Sequence, residues 1–336
     1  MKPSYARRIL LLLIAGLILA FPLLDSNEYH VYMADRALIN SMVASGLVAL
    51  TGFAGQISLG HAAFYGIGAY TSALAVTRLG VPVWLGIVLA ALLCCLLGMV
   101  LSIPSFKVSG FFLSLVTISF GQIVWMAIVN WRDLTGGPYG LLGIPPVTFA
   151  GKPLSTVSYY YLALVMMALL FYVSWRITNS FIGRAFMAMR DDELSASTMG
   201  VNVRYYKLLA FSLSAIYGGI AGGLYAHLST FLSPESFVFF ESANFVAMAV
   251  VGGLRHVLGG IIGGGLVTIL PELFRFKNWE TYYLMATSLI IIVIVIRMPS
   301  GIAPALESAY RKLVQAVSSA HGRGASGARG AEHPGR

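Results

Sequence analysis

The sequence predicts an all-α, polytopic integral membrane protein with about eight to ten transmembrane helices, some of them broken or re-entrant at glycines. Three observations carry this. Of the 336 residues, 58% are apolar and only 10% are charged, against about 25% charged in a soluble globular protein. The mean hydropathy of +0.81 excludes a soluble enzyme, a secreted disulfide scaffold and a disordered chain. The few charges bracket apolar runs of membrane-crossing length. A pI near 9.6 does not point to nucleic acid, because the 22 Lys and Arg are not gathered on a polar domain.

A helix needs about 20 apolar residues to cross about 30 Å of hydrocarbon. The first uncharged run, 16 residues between Arg8 and Asp25, begins like a signal peptide. It lacks a small-residue cleavage site and therefore reads as an anchor helix. Between Arg36 and Arg78 lie 41 uncharged residues, enough for two passes. Runs of 28, 24, 23 and 27 follow, ending at Lys107, Arg132, Arg176 and Glu235 respectively. The last three runs hold 13, 16 and 16 residues, ending at Arg255, Glu272 and Arg297. Thirteen residues reach only about 20 Å as a helix. Residues 242–271 are therefore either two spans or two short, re-entrant segments, which separates a count of ten from a count of eight. On this count no Asp, Glu, Lys or Arg lies deep in a span, which argues against a proton- or sodium-coupled carrier working alone. Cys94 and Cys95 are adjacent within an apolar run and read as small core residues.

The positive-inside rule sets the orientation. With both termini cytoplasmic, 16 of the 22 basic residues fall inside, among them Lys107, Arg255 and the basic residues of the 176–207 loop. Residues 131–155, rich in Gly and Pro, read as an external loop. Residues 1–310 then form one permease-like membrane domain. Residues 311–336 form a basic cytoplasmic tail that becomes Gly/Ala/Arg low-complexity sequence from His321, with no periodicity.

Nothing in the chain reads as catalytic. There is no G-x-x-x-x-G-K-[ST] phosphate loop and no H-E-x-x-H, and the six His are scattered. No metal or cofactor is expected.

Three segments stand out. The first, TGFAGQISLGHAAFYGIGAY (51–70), interrupts a long apolar run with glycines and with Gln56, Ser58 and His61. Irregular backbone at membrane depth survives only inside protein or beside a water-filled path. Two readings follow: a broken helix lining a path, or a tight turn between packed helices with His61 hydrogen-bonded in the interior. The second segment, VVGGLRHVLGGIIGGGL (250–266), matches the first at an offset of 199, pairing Leu59 with Leu258, Gly60 with Gly259 and Gly66 with Gly265. Gly-interrupted segments in two halves of a chain point to a transport path. The pairs Gly218/Gly222, Gly219/Gly223 and Gly260/Gly264 predict close helix packing. The third segment, 180–211, is amphipathic and charged, with Phe186, Met189, Leu194 and Met199 near helical spacing and Gly200 suited to a left-handed cap. It reads as a loop helix that docks into a partner's groove, or as an interfacial helix lying on lipid.

Together these segments resemble the permease subunits of ABC importers for branched-chain amino acids, specifically the M-type subunit. The carriers are GFAGQISLGHAAFYGIGAY, LTGGPYGLLGIPP from Leu134, GRAFMAMRDDELSASTMGVN followed by KLLAFSLSA, YAHLSTFLSPESF and VVGGLRHVLGGIIGG. The resemblance runs from about Ala37 to Arg297. It implies an inner-membrane subunit that pairs with a second permease, two cytoplasmic ATP-binding subunits and an external substrate-binding protein. On the broken-helix reading, Gly52, Gly55, Gln56, Ser58, Gly60 and His61 border the path. The resemblance also implies a coupling loop at about 177–207, carried by Arg184, Arg190, Asp191, Asp192, Glu193 and Gly200. The wider pattern begins E-A-A where this chain reads Leu194-Ser195-Ala196, with Glu193 one place early. A urea or amide permease of the same superfamily, and a stand-alone secondary carrier, are the alternatives.

Overall fold

In the computed structural model, residues 16–25, 27–149, 152–275 and 283–309 are described. The start of the anchor helix and the tail 311–336 lie outside them. The chain is helical almost throughout. Helix α1 covers 16–24 and is followed by α2 (Glu28–Leu47), which runs on through a π-helical turn (Val48–Phe53). After an irregular stretch come α3 (His61–Leu79), α4 (Val83–Ser105), α5 (Phe111–Asn130) and the short α6 (Arg132–Thr135). Next are α7 (Thr156–Thr178), α8 (Phe181–Asp191), α9 (Glu193–Thr198) and α10 (Val203–Ser229). The last four are α11 (Phe239–Gly252), α12 (Gly259–Arg275), α13 (Tyr283–Arg297) and α14 (Ile302–Ala309).

Burial separates a core from a periphery. The α2 span is 83% buried and α10 is 72% buried, whereas α5 is only 22% buried. α10 packs most extensively, against α4 and α3, and α2 packs against α12. Glycines permit these contacts. A Cβ on Gly222 would stand 2.0 Å from the Tyr65 carbonyl oxygen, and one on Gly260 or Gly264 would strike the backbone of Ser45 or Ser41. The small-residue pairs read from the sequence are the contact points. Cys94 is buried as expected, but Cys95 is only half-buried.

Five helices among the described residues are long and apolar enough to cross a bilayer, or six if the bent pair α13–α14 counts as one span. Long helices alone therefore do not make the expected eight to ten crossings. The shorter reading of 242–271 is the one observed, since α11 and α12 are short apolar helices joined by a turn at 253–258. A Cβ on Gly263 would lie 1.7 Å from the Met248 carbonyl oxygen, so these two helices touch backbone to backbone.

Two charged residues within helices of span length are enclosed by the protein rather than standing at its boundary. Asp35 is fully buried within α2, and neither carboxylate oxygen has a hydrogen-bond partner among the described residues. Lys207, in α10, is 2% exposed. Counting runs between charges makes every charge a boundary, so a charge inside a span is invisible to that procedure.

Residues 131–149 and 152–155 lie at the end of α3 remote from α8–α9. They hold a 3-10 turn (Gly137–Tyr139) and a two-residue hairpin pairing Thr148–Phe149 with Lys152–Pro153. Arg78, at the end of α3, donates to the carbonyls of Asp133 and Leu134. Leu141 exchanges backbone hydrogen bonds with Leu232.

Candidate functional site: a loop tied to a broken helix

The π-helical turn that ends α2 marks where the helix is about to break. Gly55 has φ +72, a conformation open to glycine at little steric cost. Its ideal Cβ position lies 2.9 Å from Arg190 Cα, so α8 passes directly against the break. Gly52 touches the second glycine segment, because a Cβ there would stand 1.7 Å from the Leu254 carbonyl oxygen. Gly60 precedes α3 and meets α5, its Cβ position 2.3 Å from the Thr117 carbonyl oxygen.

The polar side chains of the break are fully enclosed. His61 is 0% exposed. Its Nδ1 pairs with Ser58 Oγ at 3.0 Å and its Nε2 with Ser214 Oγ at 2.6 Å. Thr117 Oγ1 accepts from the Leu59 N–H at 3.0 Å, and Ser242 Oγ accepts from the Ala62 N–H at 2.9 Å. The hydroxyls of α5, α10 and α11 thus satisfy backbone and imidazole groups that the break would leave without partners.

Gln56 reaches outward to the loop. Its Nε2 donates to Glu193 Oε1 at 3.1 Å and to the Ala54 carbonyl at 3.3 Å. Its Oε1 is buried and has no partner among the described residues. Glu193 Oε1 also pairs with Lys207 Nζ at 2.8 Å, and Lys207 donates to the Ser105 carbonyl at 2.7 Å. Arg190 Nη1 donates to the Gly52 carbonyl at 3.0 Å, and its other nitrogens hold the Asp191 carboxylate. Charge-assisted bonds of this kind are the strong ones. Glu193, one place off the E-A-A pattern, is the carboxylate that joins loop, break and α10.

The loop differs from a single amphipathic helix. Asp192 has β-region backbone and caps α9, accepting the Ser195 N–H at 2.6 Å. That bond, with the Ser195 hydroxyl, holds its carboxyl below the ordinary range. The chain turns there, so the expected apolar stripe splits. Phe186 and Met189 are buried, whereas Leu194 and Met199 are 76% and 85% exposed. Gly200 has φ +86, and α9 ends with Gly200 N–H to Ser197 and Val201 N–H to Ala196, the Schellman pattern. Arg184 is exposed and lies over the Phe181 ring.

A family model described as branched-chain amino acid transport system, permease component, matches residues 30–296. The chain belongs to this family. The permease is 33% identical over 320 residues to the high-affinity branched-chain amino acid transport system permease protein LivM of Escherichia coli, covering 88% of this chain and 75% of that one. It is 24% identical to the ribose import permease protein RbsC of Haemophilus influenzae, over 85% of this chain and 90% of that one. A further relative is the probable branched-chain amino acid transport permease protein LivH of Methanocaldococcus jannaschii, 33% identical over 30% of each chain. No solved structure matches the permease.

The break and the loop were legible as separate segments, and their attachment was not. Lys207 counted only as a topology charge. Its sequence signal was a lone lysine followed directly by apolar residues, Leu208 to Phe211. Thr117, Ser214 and Ser242 gave no distinguishing signal, since each stands close to other hydroxyl or polar residues such as Ser119, Ser212 and Glu241.

Proposed function

We propose that this permease is the transmembrane subunit of an ATP-driven importer carrying branched-chain amino acids across the bacterial inner membrane. It pairs with a second, related permease, two cytoplasmic ATP-binding subunits and an external substrate-binding protein, and performs no covalent chemistry itself. Both termini and α8–α9 face the cytoplasm. Leu194 and Met199 enter a groove on the ATP-binding subunit, flanked by the charges of Arg184, Asp191 and Asp192.

The observation that carries this reading is the attachment of the loop to the broken helix. Arg190 holds the Gly52 carbonyl, and Glu193 holds Gln56 and Lys207. A movement of α9 is transmitted to the break without passing through flexible chain. Gly52, Gly55, Gln56, Ser58, Gly60 and His61 form the inner gate in its closed state, and the gate opens when α8–α9 shifts.

The test is the complete importer in proteoliposomes with its binding protein. Leucine uptake is expected only with ATP, and none is expected from the purified permease alone. Uptake by the permease alone would overturn the reading in favour of a secondary carrier. Transport of urea or amides in place of leucine would overturn the cargo.

A further inference from the structure

Helix α5 differs from the other spans in what it shows to the outside. It is the least buried of the five helices long enough to cross a bilayer. The side chains that α4 and α7 expose near their middles are apolar, such as Leu92 and Leu96 on α4 and Val165 and Leu169 on α7. Among the described residues of the five spans, only α5 exposes polar side chains there, Ser119 and Gln122. These are the ninth and twelfth of its 20 residues. Each therefore lies about 2 Å from the helix midpoint along the axis. Among the described residues neither side chain makes a hydrogen bond. Lipid tails offer none, so an amide facing them at this depth is costly.

The pattern around these two residues is that of a helix pair. Phe112, Leu115, Ser119, Gln122 and Met126 are all exposed and recur at alternating spacings of three and four. Two contact positions in every seven residues make the seam between packed helices, and a polar residue in such a seam sets partner and register. In a bilayer, polar side chains and small residues are the groups that hold helices together. The other side of α5 is already taken. Leu113, Ser114 and Thr117 are buried, and Thr117 Oγ1 accepts the Leu59 N–H of the break at 3.0 Å.

We infer that the outward face of α5 is the seam with the second permease subunit, packed against a membrane-spanning helix of that chain. A polar side chain of the partner helix meets the Gln122 amide at mid-depth, and Ser119 lets the two backbones approach. Phe112, Leu115 and Met126 supply the apolar contact above and below. The apolar outer faces of α4 and α7 are left to lipid. α5 then stands between the partner and the break, touching one on each side. The inference rests on the pairing of two permeases proposed above.

The experiment uses the complete importer in its membrane. Co-purification of the two permeases from the unaltered importer comes first; its absence overturns the pairing, and this inference with it. Given that pairing, the photoreactive residue p-benzoylphenylalanine replaces Ser119, Leu92 or Val165 in turn. Illumination is expected to join the second permease to the Ser119 position, and lipid alone to the other two. Gln122→Leu is expected to weaken association of the two permeases in detergent about tenfold. The separated Gln122→Leu permease should stay monodisperse, and Gln122→Asn should keep most of the association. A lipid-facing helix predicts no such loss, because leucine suits hydrocarbon better than glutamine does. If Gln122→Leu is not monodisperse, the Ser119 adduct decides. Three results would each overturn the inference: lipid adducts alone at Ser119, an adduct there with a second copy of this chain, or association of Gln122→Leu within twofold of the unaltered pair.

Discussion

The two glycine breaks are built alike and anchored differently. In the first, α2 ends in a π-helical turn, the chain runs irregularly to Gly60, and α3 begins at His61. In the second, α11 ends at Gly252, a turn follows, and α12 begins at Gly259. The offset of 199 therefore brings one helix start to within a residue of the other, and the breaks meet where Gly52 faces Leu254. The first break is tied to α8, α9 and α10 by Arg190, Gln56, Glu193 and Lys207. The second rests on the turn before α14, where a Cβ on Gly301 would lie 2.2 Å from Gly253 Cα. There His256 Nε2 lies 3.4 Å from a Glu307 carboxylate oxygen, both groups being partly solvent-exposed. Similar backbone solutions thus serve different ends. One break is tied to the loop, and the other is braced against the carboxy-terminal helices.

That contrast can be broken at several points. The largest effect belongs to the contact the breaks share. Gly52→Val places a side chain where the Leu254 carbonyl stands, and backbone cannot retreat as a flexible side chain would. No monodisperse protein is expected on size-exclusion in detergent, and normal recovery would show that the breaks separate freely.

Next comes Glu193→Ala, which leaves Lys207 enclosed without its carboxylate. A cost of about 1–3 kcal/mol is expected, below that of a fully buried pair because Glu193 is partly exposed. The functional loss should exceed the stability loss, with ATP hydrolysis continuing while leucine uptake falls. Charge reversal at Arg190 and Asp192, or Gly200→Pro, should uncouple in the same way. Normal substrate-stimulated hydrolysis and uptake in these variants would remove the loop from the mechanism.

A smaller effect is expected from Asp192→Ala, the loss of the α9 cap, read as an earlier thermal transition. The pH dependence has a definite sign. Asp192 has a lowered carboxyl pKa in the folded protein, so its contribution is complete above the unfolded value of about 4. It fades only as pH falls through the folded value. Difference melts between Asp192→Ala and the unaltered protein should therefore stay constant from pH 5 to 8. The smallest effect is His256→Ala, under about 1 kcal/mol for an exposed pair, with coupling intact. Loss of coupling there would give the second break the role assigned to the first.

Much of this was readable from local pattern. Hydropathy located the helices, glycine spacing located both breaks, and Gly200 ended its helix in the left-handed conformation expected of it. The failures share a cause. Phe186 and Leu194 were assigned to one stripe because helical periodicity assumes continuity, and the extended backbone at Asp192 ends that continuity. Asp35 and Arg36 were treated as a boundary because a linear count has no means of enclosing a charge. Neighbours in sequence, they face different surroundings: Asp35 lies near Tyr159 and Tyr160 on α7, and Arg36 near Tyr65 and Tyr225.

By itself the sequence determined that this chain lives in a bilayer, where its helices break, and which family it resembles. Those follow from composition and from short-range spacing, because solvation and backbone freedom act residue by residue. Only the tertiary structure decided that Glu193 meets Gln56 and Lys207, that His61 is enclosed by two serines, and that Arg36 stands over the Tyr225 ring. Each of these joins positions far apart in the chain through packed helices. The energy of such a contact depends on distance and burial, which no spacing along the chain encodes.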